Sequence, residues 1–229
     1  GGMDNVASPH EMIDNEVVAI PHRNIDNVAP AGSILSSVQE MTYWMRMMLG
    51  EGELNGKRVI SKEVVAEVWK PNIIYPLPPS YRKLSPTTHF STYGLGWGLR
   101  DYGGRFIATH TGGIDGMLSQ VLLVPEEELG IVVLTNTSPM GSFAHNAVTY
   151  HILDAYLGRV GETDWNAAFH ELAETQEKEQ KEAHRKRDES RVTGTTPTLP
   201  LDAYAGVYED PMYGKLRVSL EEGNLVARR

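Results

Sequence analysis

The chain contains no cysteine. Disulfide staples, thiolate metal ligands and a thiol nucleophile are excluded, and the redox compartment is left open. Long apolar runs are missing too, and nothing approaches the roughly 20 residues of a membrane-spanning helix. No basic, then apolar, then small-residue signal opens the chain, and Gly1-Gly2-Met3-Asp4-Asn5 reads as a start inside a domain. Positive charge is scarce. Lys and Arg number 21 against 30 Asp and Glu, for a net charge of -9. This balance argues against a nucleic-acid partner, because phosphate contacts need clustered cations. Phosphate-cradling glycine loops and His-Glu-x-x-His are absent as well, so no cofactor or metal is expected. His145 and His151 stand six apart on a helix and share no face; His10 and His22 have no cysteine near them. What is present is ordinary globular material: 229 residues, 41% hydrophobic, enough for one sizeable core and a small second unit.

Residues 1–35 are polar and punctuated by Pro and Gly, and read as loop. Ser37-x-x-Glu40 is a capping box, followed at helical spacing by Met41, Trp44, Met45, Met48 and Leu49, with Gly50 at the C-terminal cap. The Met and Trp stripe is core packing rather than a cofactor box. Leu54-Asn55-Gly56-Lys57 is a turn, and Ser61 caps a short helix that Pro71 stops. Residues 71–91 are rich in proline and lack a period, which predicts a long surface loop. Strands follow: one from Tyr93 continuing as Arg105 to Thr111, then Met117 to Val124 and Ile131 to Thr135, the last two pairing antiparallel. Ile131-Val132-Val133-Leu134 is apolar without alternation, so layers are expected on both faces of the sheet. Ser142 is the expected cap of a helix with Ala144, Val148, Ile152 and Tyr156 inward, ended by Gly158. Another helix starts near Asp164 with Trp165, Phe169 and Leu172 on one face. It then turns polar, with Glu174–Lys178, Glu177–Lys181 and Glu182–Lys186 as i,i+4 pairs, each worth about 0.2–0.5 kcal/mol. Val192 to Thr198 is a linker by composition, and Tyr204 to Arg229 reads as a few strands, too few to enclose a core.

Chemistry concentrates in His110-Thr111-Gly112-Gly113 at the end of one strand. Glycine at 112 and 113 clears side chains from a strand edge, so that a ligand backbone can approach. Amide N–H groups there can face a developing oxyanion. Thr111 offers a hydroxyl to a carboxylate or carbonyl, and His110 a group that changes charge near neutral pH. Glu126-Glu127-Glu128 reads as a solvated turn rather than an acid/base pair.

Around this tetrapeptide the chain resembles the β-lactamase-like serine hydrolases, which include class C β-lactamases, penicillin-binding DD-peptidases and related esterases. The residues that carry the resemblance are Tyr93-Gly94-Leu95-Gly96-Trp97, His110-Thr111-Gly112-Gly113, Gly116, Pro125 and the strand Gly130 to Asn136. Upstream, Ala31 to Ser37 and Leu54 to Ser61 match the family's usual run. The resemblance implies an α+β unit, a partial β-lactamase/transpeptidase-like fold with an antiparallel sheet flanked by helices. It implies that His110 tunes the proton-transfer network, that Thr111 and Gly112 bind substrate, and that the N–H of Gly113 is an oxyanion donor. It further implies a periplasmic or extracellular location and a small-molecule or peptide substrate in the intact parent. The organisation expected is residues 1–160 as the C-terminal part of the hydrolase domain, 161–198 as charged helix and linker, and 199–229 as the truncated start of an appended β domain.

Two family motifs are not found: the Ser-x-x-Lys nucleophile helix and Tyr-x-Asn or Tyr-x-Ser. No tyrosine is followed two residues later by Asn or Ser, and the single Ser-x-x-Lys, Ser80-Tyr81-Arg82-Lys83, lies in the proline-rich stretch far from the family position. Without a nucleophile His110 has nothing to activate. The expectation is a serine-hydrolase portion that is inactive as an isolated chain; the other reading is a binding or assembly module that self-associates through an incomplete sheet. His110 in place of lysine favours an esterase or peptidase over a strong β-lactamase.

Overall fold

A computed structural model describes residues 5–77 and 79–228; the side chains of Asn27, Pro79, Ser80, Lys83 and Met140 fall outside it. The reading of Gly1 to Asp4 as a start inside a domain therefore lies outside the described residues. The chain divides into two units, Gly1–Lys178 and Glu179–Arg229.

In chain order the first unit contains β1 (His10–Ile13), β2 (Glu16–Ala19), α1 (Ala29–Gly32), α2 (Val38–Leu49), β3 (Glu53–Leu54), β4 (Lys57–Arg58), α3 (Lys62–Val68) and β5 (Ile73–Ile74). It continues with α4 (Pro79–Leu84), β6 (Ser91–Tyr93), β7 (Gly98–Tyr102), β8 (Arg105–Ile114), β9 (Met117–Val124), β10 (Leu129–Thr135), β11 (Thr137–Ser138) and α5 (Met140–Tyr156). Helix α6 (Trp165–Glu189) begins in this unit. Six strands form one antiparallel sheet in the order β10-β9-β8-β7-β6-β5.

The pleat sends successive side chains to opposite faces, and both faces are covered. Ile107, Leu122, Val124, Leu129 and Ile131 pack on Ala147, Tyr150 and Leu153 of α5 and on Trp165 and Phe169 of α6. Their neighbours Ala108, Val121 and Leu123 pack on the other face with Met45, Met47 and Met48 of α2 and Val65 of α3. The apolar run in β10 divides in the same way, Ile131 and Val133 to one cluster and Val132 to the other. The methionine stripe is core, as the spacing predicts, and Trp44 stacks on Trp97 at 5.3 Å. Two of the three expected serine N-caps are present: Ser37 and Glu40 form the full capping box, and Ser61 accepts from the Val64 amide. Gly50 does cap α2, though at a negative φ; a Cβ there would lie 2.6 Å from the Glu53 carbonyl oxygen.

Several local readings need correction. Residues 1–35 are not all loop, because β1 and β2 form a hairpin whose β1 also pairs parallel with β11. Its two-residue turn, Asp14-Asn15, has φ values of 49 and 67, the mirror-image turn that suits Asp and Asn. The stretch 71–91 holds β5 and α4 rather than loop alone. The strand expected to begin at Tyr93 breaks at Gly94–Trp97, where the Gly94 amide donates back to the Trp97 carbonyl. Ser142 does not cap α5; Pro139 occupies the cap, and the Ser142 hydroxyl donates to its carbonyl. The inner face of α5 carries Ala147, Tyr150 and Leu153, while Ala144, Val148 and Tyr156 are exposed. Reading apolarity alone chose the wrong stripe, because buried Thr149, His145 and Asp154 are polar. Glu126 and Glu127 are not merely solvated: Glu126 accepts the Phe106 amide and Glu127 pairs with Arg105.

In the second unit β12 (Gly206–Asp210), β13 (Gly214–Glu221) and β14 (Asn224–Arg228) form an antiparallel meander. None of their described residues is buried, as expected for too few strands to enclose a core. Arg228 grips Glu221 and holds its carboxyl down at about 2. Among the described residues no helix is long and apolar enough to cross a membrane.

Two stability predictions arise here. Leu122→Ala empties a fully buried site and is expected to cost about 2–5 kcal/mol in urea denaturation, against about 1 kcal/mol for Ser37→Ala; equal costs would contradict the packing described. His145 is buried, among the described residues its Nδ1 has no hydrogen-bond partner, and burial lowers its pKa below the usual histidine value. The unfolded chain then binds the proton more tightly than the folded one. Stability is full above the unfolded value of about 6.5 and falls as pH drops through it. A His145→Leu variant should flatten the stability profile between about pH 7.5 and 5.5, and an unchanged profile would remove His145 as its cause.

Candidate active site

The His110–Gly113 segment lies in the far half of β8, where the strand changes surroundings. As far as Thr109 it has β7 on one side and β9 on the other; beyond the Gly98–Thr109 pair only β9 continues, as far as Ile114. An interior strand thus becomes a local edge. Exposure follows: Ile107 and Ala108 are fully buried, while His110, Thr111, Gly112 and Gly113 are exposed. The expected strand edge is therefore present at the tetrapeptide, although β8 is central in the sheet.

A cavity of about 250 Å³ opens beside this edge. Thr109, His110 and Thr111 of β8 line it with Tyr93 of β6, Gly98 and Arg100 of β7, Gln120 of β9, Asn146 and Tyr150 of α5, and Tyr81 of α4. Tyr93 ends its strand beside the open edge, and its hydroxyl lies 2.9 Å from His110 Nε2, the tautomer deciding which group donates. Tyr75 packs edge-on against Tyr93 and holds its ring. The two threonines differ. The Thr109 hydroxyl is spent on the Val121 carbonyl at 2.7 Å, whereas among the described residues no hydrogen bond engages the Thr111 hydroxyl. Gln120 is oriented by Thr149 at 3.1 Å and Asn146 by the Ser142 carbonyl at 2.7 Å.

The two glycines are held by packing as well as by any ligand. A Cβ on Gly112 would lie 2.5 Å from Ser119 Oγ, and one on Gly113 would lie 3.2 Å from Leu118 Cδ2. Their cross-strand partners already occupy that space.

Behind the cavity the Arg100 guanidinium sits over the rings of Tyr81 and Tyr150, at 5.1 and 5.7 Å, and donates from Nη2 to the Tyr150 hydroxyl at 2.7 Å. The Tyr81 and Tyr150 hydroxyls are bonded to each other. Burial pushes the Tyr81 hydroxyl well above the usual phenol range, so it stays neutral.

The structure thus brings His110 and Thr111 to the cavity wall, while Gly112 and Gly113 continue the exposed strand edge beyond it. The sequence reading missed Arg100, Tyr81, Tyr150, Asn146 and Gln120. One signal was available: Arg100 and Tyr102 stand two apart on the same face of a short strand, and a cation on a face that packs inward needs a polar environment. Ser80 and Lys83 ride on α4, but their side chains lie outside the described residues. Among the described residues no group of three metal-ligating side chains gathers.

A mixed sheet-and-helix unit with His-Thr-Gly-Gly at a cavity mouth defines a β-lactamase-like serine hydrolase class. Residues 2–156 match the Beta-lactamase family, and the chain belongs to it. Residues 190–229 match a Domain of unknown function (DUF3471). The chain is 28% identical over 236 residues to an unguisins hydrolase of Aspergillus violaceofuscus, covering 94% of this chain and 40% of that protein. It is 28% identical over 207 residues to a counterpart from Aspergillus campestris, covering 89% and 37%. The chain therefore spans about two fifths of these curated relatives. In fold it is similar to the octameric penicillin-binding protein homologue from Pyrococcus abyssi, with a TM-score of 0.54 at 18% identity, covering 98% of this chain and 44% of that one.

The glycine packing is testable by a double-mutant cycle. Gly112→Ala alone should destabilise the chain by about 1 kcal/mol, and adding Ser119→Ala should recover at least half of that loss; strict additivity would show that Ser119 is not what confines position 112.

Proposed function

We propose that this chain is the C-terminal portion of a β-lactamase-like serine hydrolase and that β8 is the substrate-facing strand of its acyl-transfer site. In the whole protein a serine supplied from outside these residues attacks an ester or amide carbonyl, and water then releases the acyl group. The Thr111 hydroxyl holds the substrate's carboxylate or carbonyl, with Gly112 leaving room for its backbone. The Gly113 amide stabilises the oxyanion. His110, steadied by Tyr93, tunes the proton-transfer network. The observation that carries this reading is the loss of β7 beyond Thr109, which leaves the His110–Gly113 edge open beside a cavity with Thr111 unengaged. Residues 199–229 are, on this reading, the beginning of a small appended β domain.

The isolated chain is expected to form no acyl-enzyme with an activated ester or a β-lactam, as read by intact mass spectrometry. A burst abolished by Ser80→Ala would overturn this. In the chain extended upstream by its natural sequence, Thr111→Val should lower kcat/KM by about 10–100-fold while leaving Tm nearly unchanged.

One feature favours a second reading, an assembly module. Strand β10 closes the sheet at one end, paired within it to β9 alone. Its seven residues, Leu-Gly-Ile-Val-Val-Leu-Thr, hold neither charge nor proline, the devices that normally blunt an edge. Light scattering separates the cases: a dimer sensitive to Leu134→Lys, at an exposed position of β10, supports assembly through that strand, and a monomer at high concentration counts against it.

A further inference from the structure

His110 has one ring nitrogen engaged and one free. Nε2 lies 2.9 Å from the Tyr93 hydroxyl, and among the described residues Nδ1 meets no hydrogen-bond partner. Tyr93 is itself held from three sides. The Asn72 N–H donates to its carbonyl at 2.8 Å, Tyr75 packs edge-on against its ring at 5.8 Å, and its backbone pairs with Gly98 of β7. Gly98 pairs in turn with Thr109, the residue before His110. The row Tyr93–Gly98–Thr109 thus crosses three strands, and its middle member has no side chain to stand between phenol and imidazole. Backbone pairing and ring packing therefore place the hydroxyl independently of any ligand.

A neutral imidazole carries one N–H and one lone pair, and the partner of one nitrogen decides what the other presents. A phenol is the stronger donor of the two groups, and an imidazole nitrogen the stronger acceptor. The favoured arrangement therefore has the Tyr93 O–H donating to Nε2, which leaves the His110 proton on Nδ1. A histidine side chain free in water prefers the opposite tautomer, with its proton on Nε2.

We infer that Tyr93 is a positioning residue that fixes neutral His110 as the Nδ1–H tautomer, so that His110 serves the acyl-transfer site as a hydrogen-bond donor from Nδ1 and not as a general base. The inference rests on the reading of β8 as the substrate-facing strand. A lysine at this position would present N–H donors in every rotamer; a histidine presents one at a chosen nitrogen only when its tautomer is set. Tyr93 sets it, and acts through His110 without touching substrate.

Long-range proton–nitrogen NMR on the full isotope-labelled chain reads the tautomer at about pH 8.5, where histidine side chains are ordinarily neutral. The His110 signals are assigned by their loss in His110→Gln. Nδ1 is expected at the protonated position and Nε2 at the unprotonated one. Tyr93→Phe keeps the ring and removes the hydroxyl; it should move the proton to Nε2 while the rest of the spectrum stays native. A proton on Nε2 in the unaltered chain would overturn the inference without any variant, and so would an unchanged tautomer in Tyr93→Phe. In the chain extended upstream by its natural sequence, Tyr93→Phe should lower kcat about tenfold with KM nearly unchanged. Unchanged kcat in Tyr93→Phe, beside a Thr111→Val variant that does lose kcat/KM, would overturn the role of Tyr93 and leave the proposed site standing. No loss in either variant would overturn both.

Discussion

Strand β7 is docked on helix α5 through two polar contacts, and the cavity depends on that pairing. Arg100 and Tyr102 alternate on one face of the strand; Tyr150 and Asp154 stand one turn apart on the helix. Arg100 donates to the Tyr150 hydroxyl, and the Tyr102 hydroxyl donates to Asp154 at 2.5 Å. Matching i,i+2 on a strand to i,i+4 on a helix fixes both the distance and the rotation of α5 over the sheet.

Asp154 extends the same constraint to the next element. The indole N–H of Trp165, the first residue of α6, donates to its other oxygen at 2.6 Å. Tyr102, Tyr150, Trp165 and Phe169 pack edge and face around these bonds, with centroids 4.5 to 6.5 Å apart. Hydrogen bonds to a buried carboxylate are worth about 1.5–3 kcal/mol each, and apolar rings that exclude water strengthen them. The site then lies where this rigid packing ends. Past Thr109 the sheet loses β7, and exposed backbone and, among the described residues, an unengaged Thr111 hydroxyl stand on the strand whose Ile107 and Ala108 are fully buried.

Where a short local rule governs, the sequence was legible. The Ser37–Glu40 box, the Ser61 cap, the Asn55-Gly56 turn and the pairing of β9 with β10 all follow from neighbours within a few residues. The α5 inner face was not legible, because Thr149, His145 and Asp154 are buried for partners far away in sequence, and hydrophobicity points elsewhere. The β1–β2 hairpin escaped notice because its strands are short and largely exposed, although Asp14-Asn15 carried a readable turn signal.

By itself the sequence determined that His110-Thr111-Gly112-Gly113 ends a strand within a β-lactamase-like fold, since residue order and turn chemistry are local properties. The tertiary structure alone decided that this segment is an edge, that Gly112 is confined by Ser119, and that Arg100 stands with two tyrosines behind the same cavity. Each of these depends on which strand ends first and on what the facing helix presents, and such relations arise only when distant segments pack.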